Sequence, residues 1–172
     1  MVREVPVTES ARSKKGRYYI ADNFVAFWFR YIHPNLSAIE EGLFDVEEIR
    51  HDYSRYLGFV FEKVARQFLI ELNRRGKLPF KFSKVGRWWH KDKEIDLIAL
   101  SEREKKALFV EVKWKSLKDK EVERILNKLE KIAELTGLDE YEKYFGVFAK
   151  SVEFKSGLVW DLGDLASFEN RE

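Results

Sequence analysis

The plainest pattern in the chain is an apolar stripe. Leu57, Phe61, Val64, Phe68 and Leu72 step by three or four residues, the spacing that keeps side chains on one face of an α-helix. The stripe predicts a helix from about Ser54. Arg74 and Arg75 suit its last turn and Gly76 the position just past its end, because cations favour the carbonyl end and glycine accepts a left-handed cap. Upstream, Phe24, Phe27, Trp28 and Tyr31 recur at helical spacing behind Asp22, an N-cap residue type, and Pro34-Asn35 marks the expected end. An acidic stretch from about Ser37 to His51 predicts a second helix. At the start, Arg3–Ser10 alternates weakly, as one short strand would, and Ala11–Tyr19 is basic and turn-like around Gly16.

Downstream of the stripe, Lys77–His90 is turn-rich and basic. Lys93–Leu100 (KEIDLIAL) and Leu108–Lys115 (LFVEVKWK) then resemble buried strands, and the charged gap Ser101–Lys106 between them fits a hairpin loop. Leu117–Gly137 predicts a further helix with Val122, Ile125, Leu129, Ile132 and Leu135 facing the core and Gly137 ending it. Tyr141–Lys150 and Ser156–Leu165 complete the order with one or two strands. Helix, a strand or two, hairpin, helix and strand make an α/β sandwich with a mixed sheet.

Composition narrows the field. Apolar residues are 45% of the 172, with 14 Phe, 7 Tyr and 5 Trp, enough to bury one domain's core. The absence of Cys excludes disulfide frameworks and thiolate metal sites and fits a cytoplasmic protein. A charged fraction of 36% with a single Met resembles hyperthermophile usage. No run of about 18 apolar residues predicts a membrane helix, and the first ten residues lack a signal-peptide core. With a net charge of only +2, any nucleic-acid surface must come from local clustering.

Candidate chemistry sits on the two hairpin strands. Alternation puts Glu111 and Lys113 on one face, with Val110, Val112 and Trp114 on the other. On the first strand it puts Glu94 and Asp96 together, opposite Ile95 and Leu97. Normal pairing brings Asp96 and Glu111 to one edge of the sheet. Two neighbouring carboxylates repel, and a hard cation such as Mg²⁺ or Mn²⁺ relieves the repulsion. Lys113 beside them can contact a phosphate or orient water. A plain surface ion pair explains Glu111 and Lys113 equally simply, but their flanks are apolar, and charge inside apolar strands is costly.

These residues resemble the core of the PD-(D/E)XK, or restriction-endonuclease-like, nuclease superfamily. Its pattern is an acid on one strand, a turn, then acid-x-lysine on the next. Asp96, Glu111 and Lys113 match it, with Ile95 where the eponymous proline stands. Glu62, in GFVFEKVARQFL, matches the further acid that the preceding helix often supplies. The resemblance implies an αβββαβ core flanked by helices, with an N-terminal helical extension. It implies catalysis by Asp96, Glu111, Lys113 and Glu62, with Mg²⁺ (or Mn²⁺) held by Asp96, Glu111 and the Val112 carbonyl. It also implies DNA as partner and a homodimer, as in many resolvases and restriction enzymes. A second resemblance covers most of the chain. GRYYIADNFVAFWFRYIHPN and YLGFVFEKVARQFL are similar to the C-terminal part of archaeal P-loop ATPases of the signal-transducing class. There an ATPase domain and a winged-helix domain precede a nuclease-like domain. This chain has no G-x-x-x-x-G-K-[ST], so it is expected to be either a truncated product or a stand-alone descendant, with an ATPase as a partner. On this reading residues 1–52 are the extension, made of a winged-helix remnant and the aromatic helix, and 53–172 the nuclease-like domain.

The segment from Arg74 to Lys93 carries eight Lys and Arg against one acid, interleaved with Phe80, Phe82, Trp88 and Trp89. Lys84, Arg87, Trp88 and Lys91, with Lys115 nearby, are therefore the nucleic-acid-binding candidates. A solvated loop whose aromatics are core residues is the simpler alternative. The leading expectation is a metal-dependent nuclease-like domain hydrolysing DNA. The alternative is a non-catalytic module that binds DNA or a protein.

Overall fold

The computed structural model describes residues 1–169. The positions 170–172 that close the 53–172 division lie outside the described residues. The chain opens with two short antiparallel strands, β1 (Val2–Glu4) and β2 (Arg17–Tyr19). The basic stretch expected to be a turn therefore ends in a strand too short to show alternation. Helix α1 (Asn23–Phe27) starts as expected, with the Asp22 carboxylate accepting the Val25 N–H at 2.8 Å. It does not stop at Pro34. A π-helical turn (Trp28–Ile32) and a 3-10 turn (His33–Asn35) carry the helical path into α2 (Leu36–Glu40), because proline is tolerated in the first turn of a new helical segment.

The acidic stretch forms two pieces. Its first residues lie in α2, and its last open α3 (Glu47–Arg74), a 28-residue helix. Helix α3 runs unbroken through positions 52 and 53. Asp52 near its start accepts both guanidinium arms of Arg30 at 2.6 Å and the Tyr31 hydroxyl at 2.9 Å. With Phe27, Tyr53 and Tyr56 packed around Tyr31, this pair fastens the N-terminal segment to α3.

The five-stranded sheet follows, in the order β3-β4-β5-β6-β7. Strand β3 (Lys84–His90) occupies the segment predicted as basic turns, and β4 (Lys93–Ser101) and β5 (Lys106–Leu117) form the predicted hairpin. β3, β4 and β5 pair antiparallel. Helix α4 (Asp119–Ala133) then crosses over to β6 (Glu142–Val152), which runs parallel to β5. Strand β7 (Val159–Asp161) adds in parallel, and α5 (Leu162–Glu169) turns the end of the last predicted strand into a helix. The result is mixed α/β. Phe61, Ala65, Phe68, Leu69 and Leu72 of α3 pack with Leu97, Ala99, Leu108, Val110, Val112 and Phe148 on one face of the sheet. Leu129, Ile132 and Ala133 of α4 pack with Ile95, Ile98, Leu100, Ala107 and Phe109 on the other. Leu135, expected in the core, is 56% exposed, because the helix tightens to a 3-10 turn at Glu134–Thr136 before Gly137 takes φ 72°. No helix among the described residues is long and apolar enough to cross a membrane.

Candidate active site around the β4 bulge

The position of Asp96 depends on a β-bulge. β3 and β4 pair as Gly86↔Ile98 and then as Trp88↔Ile95, so Arg87 alone stands opposite both Asp96 and Leu97. The extra residue resets the alternation. Ile95 joins the core under α4, whereas Leu97, two positions on, joins the core under α3. The expected pattern, with Ile95 and Leu97 on one face and Asp96 on the other, is therefore corrected. Bulges disrupt the ladder and re-aim side chains. Here the β4–β5 ladder stops at Leu97↔Val110, and the Asp96 carboxylate reaches across to accept the Val112 N–H at 2.7 Å.

Glu111 and Lys113 follow the expected alternation on β5. Val110 and Val112 belong to the core under α3, so the acid and the lysine project from the other side of the strand. Glu111 is 8% exposed, and Lys113 Nζ lies 2.6 Å from its Oε1. Glu62, on α3, sits near the mouth of the bulge. Its Oε2 lies 3.1 Å from the Arg87 guanidinium, yet the alignment makes no hydrogen bond, and both this oxygen and Arg87 Nε are buried without a hydrogen-bond partner among the described residues.

The electrostatics tie these groups together. Burial, and then the charge of Asp96, push the Glu62 carboxyl up to about 7, against the pull of Arg87. Burial and then Glu111 push Asp96 up to about 6, against Lys113 and the Val112 N–H. Burial pulls Lys113 down, but Glu111, Asp96 and Glu62 together outweigh it, so its ammonium is held above its ordinary range. Of the four residues anticipated from sequence, Glu62 and Asp96 thus line one cleft, Glu111 and Lys113 pair on β5, and the charges of the two pairs act on each other. In this arrangement the ionised acids repel and are poorly solvated, the condition that favours either a proton or a cation.

The donor chemistry suits a hard cation of the Mg²⁺ type. Among the described residues no three Asp, Glu or His side chains form a cage by themselves. An ion that keeps several waters needs only one or two carboxylates, and Asp96, Glu111 and the Val112 carbonyl are the donors that would hold it. The Glu62 oxygen, 3.1 Å from Arg87 but not hydrogen-bonded to it, is a further acceptor at the edge of this set.

Of the nucleic-acid-binding candidates, Lys84 and Arg87 line one cleft, but most of the cations are engaged by carboxylates. Lys84 is paired with Glu102 at 2.6 Å, and Lys115 with Glu121 at 2.7 Å. Arg87 is shared between Glu62 and Glu94 at 3.1 and 2.9 Å. Lys91 sits in the β3–β4 turn at φ 53°. Trp88 is 4% exposed and Trp89 7%, so these rings are core residues and unavailable to stack on bases. Sequence reasoning missed three other cations, Arg3, Lys63 and Arg66. They line a cleft beside Glu62 and Asp96, but they are scattered along the chain and form no basic run.

Compared with known proteins, the chain matches the family DUF234, described as archaeal and bacterial proteins of unknown function, over residues 28–125. It is 63% identical over 167 residues to an uncharacterized protein of Methanocaldococcus jannaschii, a match that takes in 95% of this chain and 38% of that protein. The chain thus spans little more than a third of that relative's length. No solved structure matches it.

Proposed function

This chain belongs to the DUF234 family, and we propose that it is a metal-dependent nuclease-like domain that hydrolyses phosphodiester bonds in DNA. The observation that carries the proposal is the bulge. It takes Asp96 out of the ladder and sets it against Val112, beside a second acid and a lysine. The order α3, β3, β4, β5, α4, β6 supports a restriction-endonuclease-like core, whose acid…acid-x-lysine pattern is met by Asp96, Glu111 and Lys113. A bound Mg²⁺ or Mn²⁺ would stabilise charge on the phosphoryl oxygens and ready a water for attack. Lys113, kept cationic by its neighbours, would orient that water or take up developing charge. Glu62, with its carboxyl near neutrality at about 7, is suited to exchange a proton with water at the mouth of the site.

A second reading has its own support. Lys113 already neutralises Glu111 at 2.6 Å, and Phe24, Phe29, Leu43 and Val46 are each at least 55% exposed. A non-catalytic module that binds DNA or a protein would account for both. The test is incubation of labelled single-stranded, duplex and branched DNA with Mg²⁺, Mn²⁺ or EDTA. The nuclease reading expects divalent-dependent cleavage that Lys113→Ala lowers by about 10²–10³-fold. Equal traces of cleavage from the wild type and Lys113→Ala would mark contamination and favour the binding module.

A further inference from the structure

A cleft with a volume of about 1080 Å³ opens from Glu62 and Asp96. One wall is α3. The other is the N-terminal segment after β1, held to the sheet where Val7 N–H donates to the Arg87 carbonyl at 2.9 Å and Pro6 is fully buried. The cations along this cleft are of two kinds. Lys84 and Arg87 are neutralised by carboxylates. Arg3 instead donates to the carbonyls of Ala11 and Ser13, Lys63 to the Ala21 carbonyl and the Asn23 side chain, and Arg66 only weakly to the Val85 carbonyl at 3.5 Å. None of the three forms an ion pair with a carboxylate among the described residues. Carboxylates act on them only at longer range, Glu4 on Arg66 and Asp22 on Lys63. Tyr19, Phe59 and Phe82 also line it, each half-buried. Lys63 Nζ stands 4.9 Å from the Phe59 ring centre and 5.7 Å from that of Tyr19.

We infer that this cleft is a groove for a single nucleic-acid strand, with Arg3, Lys63 and Arg66 on its phosphates and Tyr19, Phe59 and Phe82 against its bases. The inference rests on the reading of Glu62 and Asp96 as site acids, since the groove leads to them. Cations next to aromatic faces are the combination that binds single strands irrespective of sequence. One feature argues against a duplex: the N-terminal segment walls the cleft opposite α3, so its cations lie between two walls and not on an open face. Arg66 lies four residues after Glu62 on α3, so a phosphate on Arg66 sits about one helical turn from the site acid.

The test is a titration, in EDTA and at several salt concentrations, of the full chain with a short labelled single strand and with its blunt duplex. Arg66 is exposed and, among the described residues, makes only a weak hydrogen bond to Val85, so Arg66→Glu should fold. It should weaken single-strand binding about tenfold or more, and Arg66→Ala should lower the salt slope by about 0.7. Lys128→Glu, exposed on α4 across the sheet, should change neither, and the duplex should bind more weakly than the single strand. Wild-type affinity in Arg66→Glu, or a duplex bound as tightly as the strand, overturns the groove. Because EDTA separates binding from cleavage, the two readings fail separately. Divalent-dependent cleavage without groove binding removes this inference alone. Groove binding without any such cleavage removes the catalytic reading alone.

Discussion

Asp96 Oδ2 accepts the Val112 N–H at 2.7 Å, so a side-chain carboxylate takes the place of a backbone carbonyl where the β4–β5 ladder ends. This contact satisfies a strand amide beside Glu111 and keeps a poorly solvated acid next to another acid. Asp96→Asn keeps an acceptor for the amide and removes the charge. Urea unfolding in EDTA at pH 8 should show Asp96→Asn at least as stable as the wild type. Asp96→Ala leaves the Val112 N–H unpaired and should be less stable by roughly 1–3 kcal/mol. If the two variants unfold alike, the hydrogen bond contributes nothing to the fold.

The raised carboxyls set a pH dependence. Glu62 at about 7 and Asp96 at about 6 hold protons in the folded chain that the unfolded chain has already released. Folded protein therefore binds more protons between about pH 4 and 7, and stability falls as pH rises through that window. In EDTA the unfolding free energy should be about 4 kcal/mol lower at pH 8 than at pH 5. Glu62→Gln should flatten much of that slope. A wild-type profile that rises across the window would show that these acids stay ionised without cost.

Much of the fold is legible in the sequence because α3, α4 and the hairpin repeat strong periods. Phe61, Phe68 and Leu72 fall in the core as their spacing predicts, and Gly137 ends its helical segment. The bulge is not legible. Ile95, Leu97, Ile98, Ala99 and Leu100 are all buried, and a strand covered on both faces loses the alternation that would reveal an inserted residue. Glu62, Asp96, Glu111 and Lys113 could still be picked out because charge within apolar strands and on an apolar helix is conspicuous. The cleft cations could not, since Arg3 meets Lys63 and Arg66 only after folding.

Trp88 separates the two views of the basic segment. At 4% exposure it packs with Ile95, Ile98 and Phe109. Trp88→Ala should cost roughly 3–5 kcal/mol of stability, read as a lowered midpoint in denaturant. A variant of normal stability that had lost only DNA binding would return Trp88 to the surface.

Gly146 holds β6 against the segment leading to β7. A Cβ there would lie 2.6 Å from the Leu158 carbonyl oxygen, the acceptor of the Val147 N–H at 3.0 Å. Gly146→Ala should therefore destabilise by about 1–3 kcal/mol, with the largest loss of amide protection in β7. Unchanged protection there would mean that the two segments part without cost.

The most direct test of the proposed site is Mn²⁺ binding, followed by its paramagnetic signal in the wild type and in charge-removing variants. Lys113 holds Glu111 by an ion pair at 2.6 Å that an incoming cation must displace. The wild type should bind a single Mn²⁺ per chain. Asp96→Asn and Glu111→Gln should each weaken that binding by an order of magnitude or more, and Lys113→Ala should leave it intact or tighten it. Equal Mn²⁺ binding in wild type, Asp96→Asn and Glu111→Gln, or none in any of them, would contradict a cation site at the bulge.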